Sequence, residues 1–211
     1  MEIEFYWSKD PKRRFRLKDG LIMMGRPTEL RELTNYSPLQ PVPKSDPSMP
    51  PKSILLSFAR IDSDAAALAF VNEFGPVTGF LAKGEPVKAI RKEAQGMAAL
   101  LDAATDEPPE QFAEHLIEYQ IDYGFGQMAL EVSQGSGGAT ISLRIPNLLG
   151  ALKYMLARKI EAGTIFKRCQ YAECTTPIFD VGKGANRTIK ADFCCTKHQI
   201  QHNNDLRKAK G

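Results

Sequence analysis

The cysteine distribution is the feature that most constrains how this chain can fold. All four cysteines lie within 27 residues near the carboxyl end, at Cys169, Cys174, Cys194 and Cys195, and the first 168 residues contain none. A secreted disulfide protein would spread its cysteines across the core, and the amino terminus has no basic segment followed by an apolar stretch. The cluster therefore predicts a metal site in a cytoplasmic protein rather than a disulfide framework.

The spacing within the cluster predicts which side chains hold the ion. Four residues separate Cys169 from Cys174, and three separate Cys194 from His198, so the second pair can share one face of a helix. The nineteen residues between the pairs are enough for a hairpin. Because zinc prefers four cysteine or histidine ligands in a tetrahedron, we predict one structural zinc ion on these four residues.

Other arrangements of the same side chains stay open at this point. Cys195 could replace Cys194, and His202 could serve in place of His198. The cysteines could also be reduced thiols without a metal, or Cys194 and Cys195 could form a vicinal redox pair. A metal is favoured because a module of 48 residues with so few large apolar side chains needs a metal ion or a cross-link to fold. Phe179 and Phe193 bracket the loop between the ligand pairs and are expected to close a miniature core over the site.

The charge of the chain is unevenly distributed. Residues 164–211, here called the tail, hold nine Lys or Arg and four Asp or Glu, a net charge of +5. Residues 1–163, here called the body, hold 19 basic and 21 acidic residues, a net charge of −2. A basic module on a nearly neutral body favours an anionic partner for the tail, with nucleic acid as the first candidate.

Apolar periodicity and breaker residues predict an α+β fold. It has a mainly helical body at 1–163 with short strands, a β-hairpin and a Pro-rich loop at 38–51, followed by a zinc-ribbon-like module at 164–211. The predicted helices span 64–74, 86–104, 108–123 and 146–162. The predicted strands span 2–7, 12–18 and 54–58, and the hairpin spans 127–145.

The sequence favours a protein that is not an enzyme. It shows no nucleophile and base pair, no phosphate-binding loop and no histidine–glutamate motif of a catalytic zinc site. The acidic residues Asp102, Asp106, Glu107 and Glu110 cluster in a predicted link between two helices, where solvated carboxylates are expected. We therefore predict no catalytic residues and a zinc ion that is purely structural.

The tail resembles a group of bacterial zinc modules. The pattern consists of Arg168-Cys169-x4-Cys174, the aromatic Phe179, the basic Arg187, and Phe193-Cys194 ahead of a further ligand and a basic helix. It is similar to the CGNR zinc-finger group of uncharacterised bacterial proteins, which are regarded as transcription regulators. The sequence departs from that group in lacking Cys-Gly-Asn-Arg and in placing His198 where the group has a cysteine. The resemblance implies DNA binding by the tail.

The leading functional hypothesis is a bacterial DNA-binding transcriptional regulator. In this hypothesis the body senses a ligand or forms a homodimer, and the tail contacts phosphates. The predicted phosphate contacts are Lys183, Arg187, Lys190, Lys197, Arg207, Lys208 and Lys210. The alternative is a protein-interaction module in which the zinc ion is structural and no nucleic acid is bound.

Overall fold

The computed structural model describes residues 7–9, 15–24, 34–36, 53–78, 84–122, 129–135, 138–145, 147–174, 178–182 and 188–209. The predicted Pro-rich loop at 38–51 and all but the last residue of the predicted strand at 2–7 lie outside these ranges. The division of the chain at residue 163 into two domains stays a prediction.

Six helices and nine strands make up the described part of the chain, and every strand pairing in it is antiparallel. The helices are α1 (Ile54–Phe58), α2 (Asp64–Phe74), α3 (Val87–Asp106), α4 (Pro109–Asp122), α5 (Leu148–Glu161) and α6 (Thr196–Lys208). The strands are β1 (Trp7–Lys9), β2 (Phe15–Lys18), β3 (Leu21–Met24), β4 (Thr34–Tyr36), β5 (Glu85–Pro86), β6 (Ala129–Gly135), β7 (Gly138–Arg144), β8 (Ile165–Arg168) and β9 (Ile178–Val181). The predicted α+β class is confirmed.

The capping residues explain where the helices begin and end. The Ser63 side chain accepts a hydrogen bond from the Ala66 amide at the start of α2, and the Asn147 side chain accepts one from the Gly150 amide at the start of α5. Gly75 ends α2 with φ of 92°, a conformation that favours glycine. These are local signals, and for that reason the four predicted helices are found within a few residues of their predicted bounds.

The predicted strand at 54–58 is wrong, because this segment forms helix α1. The Ser53 hydroxyl accepts a hydrogen bond from the Leu56 amide and so caps the start of this short helix, which is about one and a half turns long. The apolar side chains of α1 are buried in all directions, with Leu55 and Phe58 fully enclosed. A short apolar run carries no periodicity that separates a buried helix from a buried strand.

The strands form four small sheets. β1 pairs with β4, β3 lies between β2 and β5, and β6 pairs with β7 as the predicted hairpin. β2 pairs with β3 through a turn at Asp19 and Gly20. Both turn residues have positive φ, 51° and 74°, which matches the twist of a tight hairpin.

One hydrophobic core joins α1, α2, α3 and α5, and it reaches into the tail. In this core the Phe70 ring contacts Phe58 edge-on and Phe74 at a tilt, with ring centroids 5.3 and 4.8 Å apart. Phe166 of β8 is 4% exposed and packs into the same core. The first strand of the tail is therefore anchored in the body, and this fixes where the cysteine cluster begins. No helix within the described ranges is long and apolar enough to cross a membrane.

Candidate metal centre

The loop between β8 and β9 supplies the first two candidate ligands. Arg168 pairs with Ile178 at the end of this hairpin, and Cys169 and Cys174 follow inside the loop. The Cys174 amide donates a hydrogen bond of 3.0 Å to the Tyr171 carbonyl, which turns the chain back toward Cys169. This hairpin therefore carries the first pair of candidate ligands in its loop.

The second pair of candidate ligands lies at the start of α6. Cys194 precedes the helix, Cys195 is its N-cap residue, and His198 lies in its first turn. The Gln170 amide donates a hydrogen bond of 3.0 Å to the Asp192 carbonyl, and this contact ties the hairpin loop to the segment that leads into α6. The predicted helix that starts near Cys194 and carries His198 is confirmed.

The four predicted ligands come together. Their ligand atoms, the three Sγ atoms and a ring nitrogen of His198, all lie within 4.8 Å of one another. The Cys174 and Cys194 sulfurs are 3.6 Å apart, and the Cys169 sulfur lies 3.7 Å from His198 Nδ1. In a tetrahedral zinc site, sulfurs are about 3.8 Å apart and a sulfur and a nitrogen about 3.6 Å. These four side chains are close enough to bind one metal ion.

The nitrogen of His198 that faces the sulfurs is Nδ1. It lies 3.0 Å from the Cys194 sulfur, which is shorter than in a tetrahedral site, so a bound ion would widen this gap by about 0.5 Å. The His198 ring packs against Tyr171 with centroids 4.9 Å apart, and the Tyr171 hydroxyl donates a hydrogen bond to Glu173. This packing fixes the orientation of the imidazole.

The surroundings of the candidate ligands combine partial burial with a hydrogen-bond donor and nearby positive charge. Burial lowers the pKa of His198, with a smaller contribution from Lys197, and the neutral imidazole is the form that binds a metal. The Cys194 amide donates to the Cys169 sulfur at 3.4 Å, and the positive end of the α6 dipole lies beside Cys194. Partial burial lowers the pKa of the Arg60 guanidinium, while the nearby Cys174 and Cys194 sulfurs act to raise it. Arg60 is a cation that sequence analysis did not connect with this site.

The two substitute ligands that the sequence left open, Cys195 and His202, lie outside the four-residue group. Cys195 is buried beside Phe179 and Val181 and is not part of the four-residue group. His202 packs against Phe193, with ring centroids 5.2 Å apart. Phe179 therefore closes the small core of the tail as predicted, whereas Phe193 covers the next turn of α6.

An ion-pair bridge joins the tail to the body directly before the first cysteine. Arg168 donates to Asp106 from Nε at 2.9 Å and to Asp102 from Nη2 at 2.7 Å. Asp102 and Asp106 project from the last turns of α3, and the sequence treated them as solvated acids. Lys159 at the end of α5 also pairs with Asp180 of β9. The cysteine hairpin is thus held against two helices of the body.

Four of the predicted phosphate contacts are described by the structure, and all four are exposed. Lys190 lies in the turn before the second ligand pair, and Lys197, Arg207 and Lys208 lie on α6. Lys183, Arg187 and Lys210 lie outside the described residues. The exposed residues belong to the same part of the tail as the candidate metal centre.

Comparisons with protein-family models, curated proteins and solved structures find no match for this chain. The resemblance to the CGNR zinc-finger group therefore stays a prediction that rests on the tail residues named above.

Proposed function

We propose that this protein is a zinc-binding transcriptional regulator whose tail binds DNA. The observation that carries the proposal is the convergence of Cys169, Cys174, Cys194 and His198 on one point. Three thiolates and an imidazole are soft and borderline ligands, and zinc is the metal that such sets select most often in a tetrahedral arrangement.

The zinc ion in this proposal is structural. Four protein ligands complete its coordination shell, so no position is left for a water or a substrate. The charge of the zinc-bound site also agrees with its surroundings. Three thiolates and one neutral histidine around Zn²⁺ give the site a net charge of −1. The α6 dipole and the Arg60 guanidinium lie beside that charge.

The basic surface of the tail supports DNA as the partner. Lys197, Arg207 and Lys208 project from a helix on which Asp205 is the sole acidic residue, so α6 carries a net charge of +2. A helix of 13 residues is about 20 Å long, and the major groove is about 12 Å wide and admits one helix. The resemblance to CGNR proteins points to the same partner.

A protein partner is the second candidate function. Three large apolar side chains of the tail, Ile189, Ile200 and Leu206, are 56%, 54% and 49% exposed. A contiguous exposed apolar patch marks a protein–protein contact, and these three side chains are the candidates for one. In that case the zinc ion would have the same structural role without nucleic-acid binding.

The metal is tested first. We expect protein purified without added metal to contain one zinc per chain by elemental mass spectrometry, and Cys194→Ser to lose most of it. Cys195→Ser is the matched control because Cys195 is a buried neighbour outside the ligand group. Full zinc occupancy in Cys194→Ser, or no metal in the wild-type chain, would contradict the proposed site.

DNA binding is tested on the zinc-loaded chain by fluorescence anisotropy with duplexes at several salt concentrations. Affinity should fall steeply with salt, because each phosphate contact releases counterions and adds about 0.9 to the slope of log K against log salt. An affinity that does not change with salt would exclude phosphate contacts. It would leave the protein-interaction hypothesis in place.

A further inference from the structure

Helix α6 is attached to the rest of the protein along a single narrow stripe. Of its 13 residues only His198, Gln201 and His202 are half-buried, and the other ten are exposed. The three attached residues are spaced i, i+3 and i+4, so they share one face. His198 faces the cysteines and His202 packs against Phe193.

The opposite face of α6 has a defined composition. At 100° per residue, the side chains diametrically opposite the attached stripe are those at i, i+4, i+7 and i+11 from the first residue of the helix. We call this set the outer stripe, and it consists of Thr196, Ile200, Asn203 and Arg207. Lys197, Asn204 and Lys208 flank it on one side, and Gln199 and Leu206 flank it on the other.

This composition differs from an ordinary solvated face. A solvated helix face carries charged pairs, whereas the outer stripe has an apolar residue and an amide at its centre and positive charge toward its end. Ile200 is 54% exposed, so its side chain is accessible to a partner. In the major groove, asparagine forms paired hydrogen bonds with adenine, and an apolar side chain contacts the methyl group of thymine. Ile200 and Asn203 are one turn apart and can reach adjacent base pairs.

Resting on the proposed function, we propose that the outer stripe of α6 enters the major groove of double-stranded DNA and reads adjacent A·T pairs through Asn203 and Ile200. Lys208 and Lys197 at the edge of the stripe contact the phosphates beside the groove. The proposed metal centre fixes the orientation of α6 on the rest of the protein, because two of its ligands, Cys194 and His198, lie at the start of the helix. DNA is favoured over an apolar protein surface because cationic side chains flank the stripe and Asp205 lies on the attached side.

The experiment compares three variants of the full-length, zinc-loaded chain. Wild-type protein is first used to select its preferred sites from a randomised duplex library. Affinities are then measured for the selected duplex and for a copy in which the selected A·T pairs are replaced by G·C pairs. The variants are Asn203→Ala, Lys208→Ala and Gln95→Ala, the last being a matched control that truncates an exposed amide on α3.

The two variants on α6 should fail in different ways. Asn203→Ala should reduce the discrimination between the two duplexes by about 5-fold to 150-fold, the range of one paired base contact. Lys208→Ala should weaken binding to both duplexes equally and reduce the salt slope by about 1. Gln95→Ala should match the wild type. Alanine favours helix more than asparagine does, so a lost preference in Asn203→Ala cannot be a melted helix.

Each contrary result has a distinct meaning. If Asn203→Ala keeps the wild-type preference while Lys208→Ala weakens binding, α6 contacts DNA but the outer stripe does not read it. If the library yields no preferred site, or if single-stranded DNA or RNA of the same sequence competes equally well, reading in the major groove is refuted. If wild-type protein binds no duplex at all, the proposed function itself fails.

Discussion

If the proposed zinc ion is bound, removing it is expected to unfold α6 and the cysteine loops while leaving the helical body folded. The small core of the tail contains two large apolar side chains, Phe179 and Val181, 2% and 0% exposed, packed with the cysteines. Burying such side chains contributes about 1.5–3 kcal/mol each, whereas zinc contributes about 10–16 kcal/mol to small zinc-finger peptides. In the proposed site the zinc ion would therefore contribute more to the stability of the folded tail than the apolar side chains do. The body core is built from α1, α2, α3 and α5 and does not depend on it.

Hydrogen exchange read by mass spectrometry on the full chain measures this directly. With a chelator present, peptides from α6 should exchange like an unstructured chain, and peptides from α3 and α5 should keep their protection. Cys194→Ser should behave like the chelated wild type, and Cys195→Ser like the zinc-loaded protein. The reasoning is refuted if α6 stays protected in protein shown to contain no metal. It is also refuted if α3 and α5 lose protection together with α6, since the tail and body would then unfold as one unit.

Three further predictions concern the body and its bridge to the tail. Glu85→Ala should lower the free energy of unfolding by about 2–5 kcal/mol in urea titrations. The buried Glu85 carboxylate accepts hydrogen bonds from two backbone amides and one hydroxyl, and all three would be lost. A decrease of less than about 1 kcal/mol would contradict this prediction. Lys153→Met should lower the free energy of unfolding by about 3 kcal/mol in the same assay. Lys153 is 3% exposed, and its replacement leaves Glu93 without the ion-pair partner that lies 3.0 Å away. An unchanged free energy of unfolding would refute this prediction. The hydrogen bonds from Arg168 lower the pKa of Asp106 below its ordinary value of 3.8. The contribution of this ion pair to the free energy of unfolding is therefore fully present above pH 3.8 and is lost as the pH falls below that value. A carboxyl NMR titration should show Arg168→Ala returning the pKa of Asp106 to its ordinary value, and an unchanged value would exclude the bridge.

The sequence by itself indicated most of the helices in the described part of the chain and the candidate ligand group, although it left Cys195 and His202 open as substitutes. The helices and the ligand group both rest on local signals: caps such as Ser63 and Asn147, apolar periods of 3.6 residues, and cysteines spaced for one ion. Each of these signals acts over a few residues, so the chemistry that decides the structure is visible in a short window of sequence. The pairing of β6 with β7 was visible for the same reason.

Only the tertiary structure decided how these parts are joined. Residues 54–58 form a helix because the core encloses them on every side, and the choice of Cys194 over Cys195 depends on which sulfur faces the hairpin loop. The bridge from Arg168 to Asp102 and Asp106 spans 66 and 62 residues of sequence. Contacts over such distances form only when the whole chain has packed, because their geometry depends on every element between the partners. The exposed stripe of α6 follows from the same packing, since the contacts of His198 and His202 determine which face of the helix is covered.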